Sequence, residues 1–210
     1  MRELTADLFV TLDGFASGVD VGPYFGYFGP ELDSWVRTAL DQPQLILMGR
    51  VTYEALSKIP SSGTDDVSAK LNDLPKLVVS STLQEPLAWN NSRLLEGDLA
   101  DEISALKRQP GEPLRSIGSI TLVKNMMQLG LVDRLRLILF PLTLGSAGRE
   151  PIFAGYPKTG FELIETKVLD SRLVLLEYRP AGSGGEPSRS SRSSSIGFAS
   201  TTEHGSERAA

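Results

Sequence analysis

Short apolar runs that stop at a glycine or a hydroxyl, and give way at once to helix-like sequence, constrain this chain most. Leu45-Ile46-Leu47-Met48 meets Gly49-Arg50 and then Val51-Thr52-Tyr53-Glu54-Ala55-Leu56. Lys76-Leu77-Val78-Val79 ends at Ser80-Ser81-Thr82, and Leu114-Arg115-Ser116-Ile117 at Gly118-Ser119, ahead of a helical stretch from Ile120. Strands that are apolar throughout must be covered on both faces, and strands separated by helices run parallel. The pattern predicts an α/β fold of three layers, with a mostly parallel sheet between helices.

The other elements fit that frame. A first strand is expected over 4–12. Residues 30–41 set Leu32, Trp35, Val36, Ala39 and Leu40 on one helical stripe, with Pro30 near the start. Helices are expected over 51–58, 65–73, 98–109 and 120–130. Asp98 is the expected N-cap of the third, Lys107 and Arg108 lie near its C-terminal end, and Gly130 closes the fourth. Strands are expected over 76–80, 92–96, 114–118 and 133–145, the last running into a loop. Residues 161–180 read as an antiparallel hairpin around Asp170-Ser171, which makes the sheet mixed.

From Ala181 the composition changes to Ser and Gly, with Ile196 and Phe198 as the only large apolar residues. Such a segment buries too little to offset its ordering entropy. The chain therefore divides into a domain, 1–180, and a flexible tail, 181–210. The single histidine, His204, lies in the tail, so neither a catalytic histidine nor a multi-histidine metal site is expected. Cysteine is absent, which excludes disulfides, thiolate metal sites and thiol nucleophiles. A formal net charge of -5, from 21 Lys+Arg and 26 Asp+Glu, lacks the basic footprint of a nucleic-acid binder. No apolar run reaches the roughly 18 residues that span a bilayer. The stretch "MRELTADLFVTLDG" has no signal-peptide core. A cytoplasmic protein is expected, with no nucleic-acid or membrane partner and no metal.

In an open α/β sheet, ligands bind outside the carboxyl ends of the strands. Three such ends converge here: Gly49, Arg50 and Thr52; Ser80, Ser81 and Thr82; and Gly118, Ser119, Ile120 and Thr121. Glycine lets backbone approach an anion, a helix N-terminus offers free N–H groups, and arginine adds a bidentate donor. Three phosphate-friendly loops on one edge suit a dinucleotide. None carries the acidic residue of an NAD ribose site, which favours NADP. No G-x-G-x-x-G and no P-loop lysine is present. Taken singly, each loop also reads as an ordinary turn.

The other half of the pocket would come from 11–30. Asp13-Gly14 makes an ordinary turn. It also puts a carboxylate at a strand end, where it could hydrogen-bond a polar heterocycle or relay a proton. Both readings stand. Tyr24, Phe25, Tyr27 and Phe28 either pack locally or cover a flat ring. Residues 140–153 could wall the same space. The substrate candidates are Thr11, Asp13, Tyr24, Phe140 and Leu144, with Asp13 as the catalytic candidate.

Together, "VTLDG", "LILMGRVTYEAL", "LPKLVVSSTL", "WNNSRLL" and "SIGSITLVKNMMQLGLVDRLRLILFPLTLGSAGREPIF" resemble, in order, the dihydrofolate-reductase-like family. That family includes the reductase domain of the bifunctional riboflavin-biosynthesis deaminase-reductase. The resemblance covers residues 1–179. It implies a central mixed sheet flanked by helices, NADPH along the strand ends, and often a homodimer. By that similarity Gly49, Arg50 and Thr52 face the cofactor phosphates. Ser80, Ser81 and Thr82 sit near the adenosine ribose and its 2′-phosphate, and Gly118, Ser119, Ile120 and Thr121 hold the pyrophosphate and nicotinamide side. Asp13 matches the substrate-facing aspartate of the S/T-L-D-G motif. Two departures stand out: Ile120 replaces a frequent second glycine, and the aromatic loop 18–30 has no counterpart in the riboflavin-pathway enzymes. The implied activity is NADPH-dependent reduction of a C=N or C=O in a small pteridine- or pyrimidine-like heterocycle, similar to 5-amino-6-(5-phosphoribosylamino)uracil reductase. A non-catalytic pterin- or nucleotide-binding protein of the same fold is the alternative.

Overall fold

Side-chain alternation along the central strands sets the layers. In the computed structural model, which describes residues 1–59 and 66–181, the first strand, β1, runs Leu4–Thr11. Its Leu4, Ala6, Leu8 and Val10 face one side, in a core shared with Leu45, Leu47, Ile103 and Met126. Ile46 and Met48 face the other, with Leu40, Tyr53, Leu71 and Trp89. A period of two lets one strand feed two cores.

The remaining elements follow in order: β2 (Phe15–Gly18), α1 (Pro30–Asp41), β3 (Leu45–Gly49), α2 (Arg50–Leu56), α3 (Asp66–Asp73), β4 (Lys76–Val79), β5 (Ser92–Leu94) and α4 (Leu99–Arg108). Then come β6 (Leu114–Ile117), α5 (Ile120–Gln128), β7 (Arg134–Phe140), β8 (Gly148–Pro151), β9 (Phe161–Leu169) and β10 (Leu173–Pro180). Among the described residues, one sheet has the order β5-β4-β3-β6-β1-β7-β10-β9. It is parallel from β5 to β7 and antiparallel from β7 through β10 to β9. Residues of α4 and α5 join the first core, and residues of α1, α2 and α3 the second.

Local chemistry explains several boundaries. Asp98 caps α4, its carboxylate accepting from the N–H groups of Ala100 and Asp101 at 2.8 and 3.2 Å. Gly130, at φ +66°, follows α5 in the left-handed conformation that favours glycine. The N-terminus of α1 is served from far away. Asp170 in the β9–β10 turn accepts from the N–H groups of Glu31 and Leu32 at 2.9 and 3.1 Å, and the Glu31 carboxylate accepts from Asp170 N–H. Gly29 lets the turn approach, since a Cβ there would lie 2.4 Å from the Asp170 carboxylate.

The structure adds short elements that the sequence-based expectation lacked. The loops at 11–18 and 140–153 contain a small antiparallel ribbon, β2 with β8, pairing Ser17 with Arg149 and Gly18 with Gly148. A helical turn, Pro23–Gly26, also forms within the aromatic loop. Of the tail expected over 181–210, residues 182–210 lie outside the described residues, as does the start of the 65–73 helix.

Candidate functional site

A cleft of about 1180 Å³ opens along the sheet, from the ends of β3, β4 and β6 across β1 to the helical turn at 23–26. At these strand ends, side chains lace two loops together. Ser119 Oγ accepts from Gly49 N–H at 2.9 Å and donates to the Ile117 carbonyl at 3.2 Å. Ser119 N–H donates to Thr52 Oγ1 at 3.1 Å, and Gly118 N–H to the Asp7 carbonyl at 3.0 Å. Gly118 and Ser119 are consecutive left-handed residues, at φ +56° and +60°. For serine this conformation costs on the order of 1–2 kcal/mol; the bonds on either side of it hold it there. Helix α5 then starts with no side-chain cap, so its first-turn N–H groups lack a side-chain acceptor.

All ten residues expected to hold the cofactor line this one cleft. Arg50 is spread over Glu54, with Nη1 at 3.1 and 2.9 Å from the two carboxylate oxygens, and both side chains are well exposed. Such a pair on a helix surface contributes only about 0.3–0.5 kcal/mol, so Arg50 can turn to an anion cheaply. Ser80 Oγ accepts from the N–H groups of Thr82 and Leu83 at 3.1 and 3.0 Å. Its hydroxyl shapes the loop, while Ser81 and Thr82 stay exposed at the rim.

The other half of the cleft is aromatic and apolar: Phe9, Tyr24, Trp35, Val36, Leu56 and Ile59 line it. Beneath it lies a charged floor. Asp7, 4% exposed, accepts from Arg115 Nε at 2.6 Å and contacts Arg115 Nη2 at 2.5 Å. Its second oxygen lies 3.0 Å from Arg136 Nε, a charge contact without hydrogen-bond alignment. Arg115 also donates to the Ala39 carbonyl at 2.9 Å. The two guanidinium carbons sit 5.6 and 5.8 Å from the Trp35 ring centroid, within cation–π range.

Of the five substrate candidates, Tyr24 lines the cleft and the other four do not. Thr11 is buried, donating to Asp13 at 2.6 Å and accepting from Phe15 N–H at 3.0 Å. The second oxygen of Asp13 accepts from the N–H groups of Leu144 and Gly145 at 2.8 and 2.7 Å. Asp13 thus fastens the loop after β7 to the end of β1. The Thr11 hydroxyl chiefly, with those two amides, holds its carboxyl below the ordinary range. Leu144 packs on Gly18, where a Cβ would come 2.9 Å from it. Phe140 is fully buried, with Phe25, Phe9 and Tyr27 at ring distances of 5.0, 5.7 and 6.5 Å. The packing reading of the aromatic loop therefore describes Phe25 and Tyr27, whereas Tyr24 reaches the cleft.

The sequence reading did not single out Asp7, Arg115, Arg136 or Glu150. The first three are charges inside apolar strands, a signal that was present. Glu150 falls in the 140–153 loop expected to wall the pocket, and it reaches the cleft because the β2–β8 ribbon puts it there.

Comparison with known proteins agrees with this architecture. The model of the RibD C-terminal domain family matches residues 2–175. A Bacillus subtilis (strain 168) protein, uncharacterized protein YyaP, is 28% identical over 183 residues, covering 84% of this chain and 94% of that protein. Among solved structures, a putative riboflavin biosynthesis protein from Shewanella sp. PV-4 superposes with a TM-score of 0.64 at 19% identity, covering 86% of this chain and 99% of that one. A pyrimidine reductase-like protein from Corynebacterium diphtheriae gives 0.58 at 14% identity, covering 86% and 92%. A diaminohydroxyphosphoribosylaminopyrimidine deaminase/5-amino-6-(5-phosphoribosylamino)uracil reductase from Thermotoga maritima gives 0.59 at 15%. Here 86% of this chain covers 57% of the bifunctional one. These likenesses show the dihydrofolate-reductase-like fold: a mostly parallel mixed sheet, antiparallel at its C-terminal end and flanked by helices.

Proposed function

The chain belongs to the RibD C-terminal domain family, and on that footing we propose that it is an NADPH-dependent reductase acting on a C=N or C=O of a small flat heterocycle. The support is the meeting of three strand ends on one rim of a single cleft, opposite an aromatic half. Single drug-sized ligands fill about 300–1,000 Å³; a cleft of about 1180 Å³ has room for a dinucleotide and a ring beside it.

The residues present fit that cofactor. Gly49 and Gly118 put bare backbone at the rim, where a Cβ would meet nothing closer than 3.7 Å, so what they offer a ligand is closeness rather than a filled gap. The first-turn N–H groups of α5 suit a pyrophosphate. Arg50 supplies a bidentate donor, and Ser81 and Thr82 supply exposed hydroxyls. The absence of a carboxylate from all three loops favours NADPH over NADH. NADPH held by these residues would supply the hydride for the carbon of the C=N or C=O, and the nitrogen or oxygen would take its proton from water. The chain orients the two rings and limits water access with Phe9, Tyr24 and Trp35. Asp13 acts by fixing the neighbouring loop rather than by touching the substrate.

The test is binding first and turnover second. NADPH should raise the melting temperature more than NADH does, and Arg50→Ala should reduce that rise. Oxidation of NADPH over a panel of heterocyclic carbonyl and imine compounds then finds the substrate. No shift at millimolar NADPH would sink the proposal, and binding without turnover of any compound would favour a non-catalytic ligand-binding role.

The reading includes a homodimer in the cytoplasm. Among the described residues no helix is long and apolar enough to cross a membrane. Strand β9 is a sheet edge exposing Leu163 and Val168, each at 57%. An apolar edge of this kind suits pairing with a second copy. Light scattering should give twice the chain mass, and Val168→Lys should halve it; a monomeric parent protein would rule the pairing out.

A further inference from the structure

Charge in the aromatic half of the cleft bears on what that half can hold. Among the described residues, two cations line the whole cleft, Arg50 and Arg115. Arg115 is committed. It is 7% exposed, doubly bonded to Asp7, and donates its remaining end to the Ala39 carbonyl. Arg50 stands at the start of α2, in the loop assigned above to the cofactor phosphates. Among the described residues, no lining cation is left over for a substrate.

Among the described residues, the lining carboxylate that lacks a cation is Glu150. Ser17 Oγ donates to it at 2.8 Å across the β2–β8 ribbon. Its backbone is left-handed, at φ +56°, a conformation a glutamate adopts only when its surroundings impose it. Ala16, between the paired residues Phe15 and Ser17, lines the cleft beside it. A phosphate ester carries a charge of about −1.5 to −2 at neutral pH. Entering here, it would face an exposed carboxylate tied to Ser17, with no further lining arginine or lysine among the described residues to compensate it.

We propose that the substrate half takes a flat, unphosphorylated ring compound, and that Glu150 turns phosphorylated forms of the same ring away. This rests on the reading of the β3, β4 and β6 loops as the cofactor's. It also separates this chain's substrate from the phosphoribosyl compound in the name of the Thermotoga maritima structure.

The experiment uses matched pairs, a ring with a neutral sugar side chain and its phosphate ester: an aminouracil nucleoside with its 5′-phosphate, and riboflavin with its 5′-phosphate. Affinity for the full chain is measured by calorimetry, with and without saturating NADPH, after NADPH binding has itself been measured. The neutral member of at least one pair should bind about tenfold or more tightly than its ester, because like-charge juxtaposition opposes the wrong ligand. Glu150→Gln should bring the ester to within about threefold of the neutral ring, and raised salt should narrow the gap in the parent protein, as screening of an exposed charge requires. Esters that bind as well as or better than their neutral partners overturn the proposal. So does a preference that Glu150→Gln leaves unmoved, or failure of every ring to bind. A protein that shows the ring preference but no NADPH binding would instead overturn the cofactor reading.

Discussion

Replacing Asp7 by Asn tests the buried floor most directly. The carboxylate sits in the middle of β1, 4% exposed, against Arg115 at 2.5–2.6 Å and Arg136 at 3.0 Å. Asparagine keeps the shape and loses the charge. Arg115, 7% exposed, then has a carbonyl and the Gln44 amide oxygen, at 2.9 and 3.5 Å, but no anion. Removing one member of a buried pair costs about 3–5 kcal/mol, mostly as the uncompensated charge that remains. Glu177, 3.8 Å from Arg136, softens the loss on that side. We therefore expect the lower end, about 3 kcal/mol, or a fall in melting temperature of roughly 6–12 °C for a domain of this size. Urea unfolding followed by tryptophan fluorescence measures it. Arg115→Gln alone should also destabilise, while the double variant should recover at least about 1 kcal/mol relative to the sum, since the two sites touch. In the two variants that carry Arg115→Gln, Trp35 loses one of its two guanidinium neighbours and keeps Arg136, so ring compounds should bind more weakly while NADPH binds as before. If Asp7→Asn costs less than about 1 kcal/mol, or the two changes add within about 0.5 kcal/mol, the pair is not the element that holds this floor.

Three further outcomes follow from other contacts. Asp13 has a carboxyl held below its ordinary value of 3.8, so what it contributes is complete above that pH and lost as the pH falls through the folded value. Acid unfolding of Asp13→Asn should accordingly start from a less stable protein and converge with the parent at low pH; a gap that stays constant with pH would show that the loss does not come from the ionised carboxylate. Lys76 is buried, donates to the carbonyls of Leu71, Asn72 and Leu74, and has its pKa pushed down to about 8 by burial. Because the unfolded chain keeps that proton up to about 10.5, stability should rise between pH 8 and 10.5, and Lys76→Met should flatten the rise in urea titrations across that range. Gly29→Ala should cost about 1–2 kcal/mol by pushing Asp170 off the N-terminus of α1, and Asp170→Ala should add little to it; additive losses in thermal melts would mean the two act separately.

The parallel part of the fold was readable because its signals are local. Leu45–Met48, Lys76–Val79 and Leu114–Ile117 are apolar within the strand, and each is punctuated within two residues of its end. Asp98 caps a helix that begins at the next residue. The same logic put ten rim residues together, since strand ends in a parallel sheet share an edge whatever their exact order. The β2–β8 ribbon had no such signal. Each strand is four residues long, and 129 positions lie between the end of one and the start of the other. The cap on α1 is hidden in the same way, because Asp170 lies 139 residues from Glu31.

On the substrate side four of the five candidates lie off the cleft for a different reason: residue type does not give residue direction. Asp13 and Phe140 have the chemistry of a site, but Thr11, two residues away, captures the first, and three rings enclose the second. The charges that do lie under the site were visible as oddities, a carboxylate in "LTADLFVT", an arginine in "LRSI" and another in "RLRLILF". A charge within an apolar strand is too costly to stand alone, so three of them predict one another. What the sequence could not supply was adjacency. Once β6, β1 and β7 are neighbours, Thr5 pairs with Arg115 and Asp7 with Arg136, and the partners are fixed by register. The cluster then does two jobs at once: it neutralises itself, and in doing so it withdraws its arginines from any substrate. The selectivity of the cleft against phosphate is, on this view, a consequence of how the sheet balances its own buried charge.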